Sequence, residues 1–242
     1  MKLNYFILSL IVLLCSHSLS AQQTATSERD YLLSIGLMAY VYEHWQESEV
    51  SSRGYNIGAL LFDPAQNTVI EWNLNSVRES PVGKTAHAEV GLMQKCISEK
   101  KINKNLNGLH IITTLEPCMM CSGMMTFLGA DSVKYIQTDP EFGKNIERLA
   151  ADYDGKPANE RCKHIKSVRA LSGEYGSSLE ESYREFHSKP ENQNKSMADF
   201  LYELSVKEVY KAAWDELQQT TTARFSQNTN LLLQVRTFLK IK

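Results

Sequence analysis

Two short stretches, His87-Ala88-Glu89 and Pro117-Cys118-Met119-Met120-Cys121, constrain this chain more than any other feature of its sequence. Each stands at the start of a predicted helix. Cys118 and Cys121 are three residues apart, so on a helix they share a face and can hold one metal ion. Pro117 suits a first helical position, where no amide hydrogen is needed. Helix N-termini favour anions, which lowers a thiol pKa there and readies a thiolate for zinc. His87 supplies the third ligand from the other helix. The fold must therefore bring two helix starts together.

The flanking sequence predicts how. Ser27 to Asp30 reads as a capped helix start, with apolar residues from Leu32 to Val41 carrying a helix to about Glu47. Residues 55–62 and 68–72 form a strand pair around the turn-forming Asp63-Pro64-Ala65-Gln66-Asn67. Residues 87–101 read as helix, 108–115 as a buried β-branched strand, 117–128 as helix and 133–138 as strand. That order is α/β, with helices crossing over a partly parallel sheet. Residues 140–178 carry no clean period, and 187–196 form a polar break. Met197 to Gln218 reads as one amphipathic helix, and a last helix is predicted from about Thr222 to Leu239.

Three protein ligands fall one short of a closed structural zinc site and leave a position for water. Positions i and i+2 of a helix diverge, so Glu89 is better placed beside the metal water than on the metal. Zinc lowers the pKa of bound water to about 7, and a nearby carboxylate can move the proton. Alone, each motif is weak; an exported Cys-x-x-Cys also reads as a redox pair. Together and in this order they match the H-x-E…P-C-x-x-C signature of zinc deaminases.

Residues 85–89 (Thr-Ala-His-Ala-Glu) and 113–123, centred on Glu116-Pro117-Cys118-Met119-Met120-Cys121, resemble the cytidine deaminase-like zinc superfamily. They are nearest the branch of nucleoside, guanine and tRNA adenosine deaminases. The resemblance spans about residues 29–140. It implies a three-layer α/β/α core with a mixed five-stranded sheet, one Zn2+ per subunit and often a homodimer. By position it makes His87, Cys118 and Cys121 the zinc ligands and Glu89 the proton shuttle for attack by zinc-bound hydroxide. It also places Asn75, with Asn73 as competitor, and the Ala88 backbone amide against the substrate. The chain departs from the family in Gly83-Lys84, where Asp-Pro is usual, and in its helical tail. Asp139, Glu141 and Phe142 follow the last core strand, where ligand crevices of α/β folds lie.

Composition bounds the rest. With 242 residues, 43% hydrophobic, and 26 basic against 28 acidic side chains, the chain is neither disordered nor disulfide-dense. Lys2, the short apolar run from Tyr5 to Leu14, and small residues at Ser18 and Ser20 read as a secretory signal. The run is too short for a comfortable membrane span, which takes about 20 residues. The expected organisation is a signal peptide at 1–20, a zinc deaminase domain at 21–178 and a helical C-terminal extension at 179–242. Export would be to a periplasm or the exterior, with no stable span after cleavage. It permits a Cys96–Cys162 disulfide, or both stay free. The slight negative charge argues against long nucleic acid as partner and for a small base or nucleoside. The rival readings are a deaminase of nucleic acid or another macromolecule, a non-catalytic zinc-stabilised binding domain, and a thiol–disulfide pair.

Overall fold

Five short strands rich in β-branched and large apolar residues build the centre of the molecule. They are β1 (Gly58–Asp63), β2 (Thr68–Leu74), β3 (His110–Leu115), β4 (Ser132–Gln137) and β5 (Lys166–Arg169). The computed structural model describes residues 25–48, 52–152, 154–157, 160–169 and 174–241. The signal reading of residues 1–20 lies outside them. The sheet order is β2-β1-β3-β4-β5. β1 pairs antiparallel with β2 and β3, whereas β3, β4 and β5 run parallel. The β1–β2 turn is held by Asp63 Oδ1, which accepts from the amides of Ala65 at 2.8 Å and Gln66 at 3.1 Å.

Both faces of the sheet are covered, as a parallel section requires. Helix α1 (25–43) lies so close to β1 that a Cβ on Gly58 would sit 2.7 Å from Val41. Gly36 of α1 stands beside Trp72 of β2 in the same way. Asn73 is one residue further along β2 and points to the opposite face. There its Nδ2 donates to the Ala88 carbonyl at 2.8 Å, at the start of α2 (Ala88–Ser98). Helix α3 (Met119–Leu128) crosses between β3 and β4 and stops at Gly129, whose φ of 75° is the left-handed end that glycine permits.

The sequence expectations need correction at several helix ends. α1 is already helical at residue 25, so Ser27 lies inside the helix and not at its N-cap position. Asp30 instead accepts from Lys134 Nζ at 2.5 Å, a buried ion pair across to β4. Residues 140–178 hold α4 (Asn145–Ala150), α5 (Glu160–His164), β5 and the start of α6 (Glu174–Ser188). α6 runs through residue 178, where the sequence reading begins the extension.

The single helix expected from Met197 to Gln218 is two: α7 (Met197–Phe200) and α8 (Leu204–Gln219). The chain turns between them because the Leu201 carbonyl is taken by Asn56 Nδ2 at 3.0 Å. The last helix, α9 (Thr229–Phe238), starts seven residues late, after a 3-10 turn at Ser226–Asn228. Its Gln234 side chain accepts from the Val69 amide of edge strand β2, which protects an otherwise open edge. Leu179, Phe200, Tyr210 and Leu232 belong to one buried cluster with Leu33, Leu60 and Ile112. No helix among the described residues is long and apolar enough to cross a membrane.

Candidate metal centre

β3 ends in Leu115, and Glu116 and Pro117 carry the chain to α3. Cys118 takes the N-cap position, with extended backbone at φ −69° and ψ 174°, and Cys121 falls in the first turn. Pro117 therefore precedes the cap and is not the first helical residue. Its carbonyl accepts from Ser122 Oγ at 3.2 Å, which locks the turn. His87 is likewise the N-cap of α2, at φ −63° and ψ 153°. Being outside the helix proper, it is free of the helical spacing argument, so His87 and Glu89 both reach one site.

The three donor atoms form a triangle. Cys118 Sγ lies 3.6 Å from His87 Nδ1, Cys121 Sγ lies 3.6 Å from the same atom, and the two sulfurs are 3.6 Å apart. Tetrahedral zinc, with Zn–S of about 2.3 Å and Zn–N of about 2.05 Å, needs ~3.75 Å between sulfurs and ~3.6 Å from sulfur to nitrogen. The donors thus fit one Zn2+, and no fourth donor among the described residues joins them. Among the described residues this is the one group of three or more such side chains close enough to share an ion.

The electrostatics suit a cation. Cys118 is pushed down to about 4, first by the hydrogen bond from Cys121 and then by His87. The proton kept by Cys121 and its burial push that thiol up. His87 is raised by its bond to Cys118. Glu89 is buried, 4% exposed, and shares a hydrogen bond with Cys121. Its burial pushes it up to about 7.

His87, Glu89 and Cys118 open into a cavity of about 580 Å3. Tyr55, Ile57, Leu115, Met119, Met120 and Phe142 form apolar walls, and Lys84 stands at the edge. Glu116, Asp139 and Glu141 form an acidic side. The Glu116 carboxylate accepts from the amides of Asp139 at 3.1 Å and Lys144 at 2.8 Å, fixing the loop after β4. Gly143 is needed there, since a Cβ would lie 2.4 Å from both Glu116 Oε2 and the Asp139 carbonyl. Asp139 Oδ1 accepts from the amides of Glu141 and Phe142, both at 2.9 Å, and burial raises this carboxyl.

Residues 34–137 match the family described as the cytidine and deoxycytidylate deaminase zinc-binding region. The matched stretch takes in both His87-Ala88-Glu89 and Cys118 to Cys121. A tRNA-specific adenosine deaminase from Haemophilus influenzae is 35% identical over 88 residues, 36% of this chain and 48% of that protein. The chain thus spans about half the length of this curated relative. A guanine deaminase from Nitrosomonas europaea is 20% identical, covering 61% of this chain and 82% of that one, with a TM-score of 0.42. A guanine deaminase from Bacillus subtilis is 26% identical over 58% and 86%, with a TM-score of 0.33.

The expected substrate contacts stand behind the cavity lining. Asn75 is fully buried, and its Oδ1 accepts from the amides of Tyr55 at 3.2 Å and Val77 at 3.3 Å. Those bonds fix the amide orientation and leave Nδ2 buried without a partner. Ala88 is also fully buried, and Asn73 is spent on its carbonyl. Cys96 and Cys162 are free thiols. Burial pushes Cys96 up to about 11. Sequence reasoning missed Tyr55, Lys84 and the four extension residues Ser196, Met197, Ala198 and Leu201, all of which line the cavity. No spacing or residue type marks them, because they come from separate elements.

Proposed function

We propose that this protein is a zinc-dependent hydrolase that releases ammonia from a free nucleobase, a nucleoside or a similar small aminated heterocycle. The observation that carries the reading is the His87–Cys118–Cys121 triangle with Glu89 beside it, opening into a walled cavity. When bound, zinc supplies hydroxide at neutral pH by lowering the pKa of a water it holds. Glu89 accepts a proton from the attacking water, passes it to a ring nitrogen, and assists departure of ammonia. A C–N bond breaks and a carbonyl forms, with water consumed and no redox change. The unpartnered Nδ2 of Asn75 is a donor awaiting an acceptor, since a buried unmatched amide costs about 1–3 kcal/mol. We assign it, with the first-turn amide of Ala88, to orienting the ring. Purine-type rings are favoured, because the similar proteins include guanine and adenosine deaminases.

The test is ammonia release from adenine, guanine, cytosine and their nucleosides by zinc-quantified protein, beside Glu89→Ala. Turnover lost in the variant with zinc retained supports the reading; stoichiometric zinc without turnover on any compound removes it in favour of a binding domain. The relative that is a tRNA-specific adenosine deaminase favours a macromolecular substrate as second reading, and a tRNA substrate in the same assay decides between them. We further infer export from residues 1–20, to be checked by N-terminal sequencing of protein recovered from its host. A homodimer is supported by Phe127 on α3, a large apolar side chain that is 75% exposed; light scattering reads it directly.

A further inference from the structure

The family match ends at residue 137, yet α7 forms part of the cavity wall. α7 is anchored on both sides. At one end the Met197 amide donates to Glu141 Oε1 at 2.5 Å, in the loop that Glu116 fixes after β4. At the other end Asn56 Nδ2 donates to the Leu201 carbonyl at 3.0 Å, and Tyr202 Oη donates to the Gly54 carbonyl at 3.0 Å. Gly54 and Asn56 flank Tyr55 just before β1. Because β1 runs antiparallel to β3, with Ala59 opposite Thr113, its start lies at the same sheet edge as the ends of β3 and β4. α7 therefore crosses the cavity from one of these loops to the other. Met197 and Leu201 are buried at 3% and 1% exposure, and a Ser196–Asp199 capping box fixes the entry. The strap is packed in place.

Charge adds a second constraint. Glu89, Glu116, Asp139 and Glu141 line the cavity that α7 closes, and beside the metal-donor His87 the basic side chain facing them is Lys84. A cleft lined mainly by one sign of charge repels ligands of that sign.

We propose that α7 is the specificity element of this site: a strap across the cavity, held by Glu141 and Asn56, that admits unphosphorylated rings and rejects phosphate-bearing ones. Met197 sets the wall and Glu141 positions it. The substrate statement rests on the deamination reading; the strap itself does not.

Two measurements keep these apart. In the first, ammonia release from a free base or nucleoside is compared with release from its 5′-monophosphate and from tRNA. The intact chain is expected to prefer the unphosphorylated compound about tenfold or more in kcat/KM, since like charges brought together cost several kcal/mol. Met197→Ala is expected to narrow that ratio. Equal use of the monophosphate or of tRNA overturns the proposal while leaving deamination standing.

In the second, zinc removal by dipicolinate, a flat dianionic chelator, is timed without any substrate. Glu141→Ala and Met197→Ala are expected to speed removal several-fold. Glu141→Gln, which keeps an acceptor for the Met197 amide, is expected to stay nearer the parent rate than Glu141→Ala. Parent-like rates in both alanine variants overturn the strap even if every deamination assay is negative.

Discussion

At the scale of single residues the three metal donors are distinct from the buried carboxylate beside them. Glu89 touches the sulfur of Cys121 but is not one of the three donors. Glu89→Gln keeps the shape and removes the proton carrier. It is expected to retain one zinc while losing about 10²–10⁴-fold in kcat, the usual worth of positioned acid–base catalysis. Metal analysis beside ammonia kinetics checks both halves, and loss of zinc would make Glu89 a ligand. Cys121→Ser is expected to do the reverse: the fully buried sulfur is one of the three atoms placed to hold the ion, so metal content falls first. The donor triangle was legible in the sequence because a metal needs fixed donor types at short spacing. Pro117 was misplaced by two helical positions, because Cys118 rather than Glu116 takes the cap. The choice of Asn75 over Asn73 was not decidable from spacing. It turns on hydrogen bonding: Asn73 is committed to the Ala88 carbonyl, whereas Asn75, one residue past β2, keeps an unpartnered Nδ2.

At the scale of elements, the strands and the two helices that start at the metal donors followed from local pattern, and the extension did not. Phe200, Leu201, Leu204, Val206, Val209 and Tyr210 keep an apolar helical period with no Gly or Pro to interrupt it. The break at Leu201 comes from Asn56, 145 residues away in sequence, which no local signal reports. Asn56 is fully buried and holds three bonds: Nδ2 to the Gln46 carbonyl at 2.9 Å and to the Leu201 carbonyl, and Oδ1 from the Gln46 amide at 2.9 Å. Asn56→Ala is expected to lower stability by about 1–3 kcal/mol, the cost of stranding buried polar partners. Urea unfolding measures it, and a change within a few tenths of a kcal/mol would mean that the turn stands without this side chain. Gly143→Ala acts on the opposite anchor. The added methyl must displace Glu116 or the backbone of Asp139. Overpacking of that kind costs about 1–3 kcal/mol, and the loss should appear in the same assay.

At the scale of the whole molecule, the extension is joined to the core by polar contacts as well as apolar ones. Glu216 of α8 accepts from Tyr31 of α1 and from Tyr175 of α6. Glu28 accepts from the amides of Arg224 and Phe225 and from Asn228 Nδ2. α1 thus ties the C-terminal helices to the sheet, and through Asp30 it also reaches Lys134 on β4. His110, at the start of β3, sits next to this pair. Burial, with Lys134 and Arg29 beside it, pushes its imidazole down to about 4, while Asp30 and Asp131 oppose the shift only in part. The unfolded chain holds a histidine near its ordinary value of about 6.5. Between those values the unfolded state binds more protons than the folded state, so stability rises with pH across the window. His110 therefore contributes fully above about pH 6.5, and its contribution is lost as pH falls toward 4. Urea midpoints at pH 7 and pH 5 are expected to differ more in the parent chain than in His110→Gln, which cannot take the proton. Carboxylates titrate alike in both chains, so the difference between the two pH slopes isolates the imidazole. Parallel slopes would show that His110 protonates in the folded state as readily as in the unfolded one, and that the Asp30–Lys134 junction yields to admit the charge.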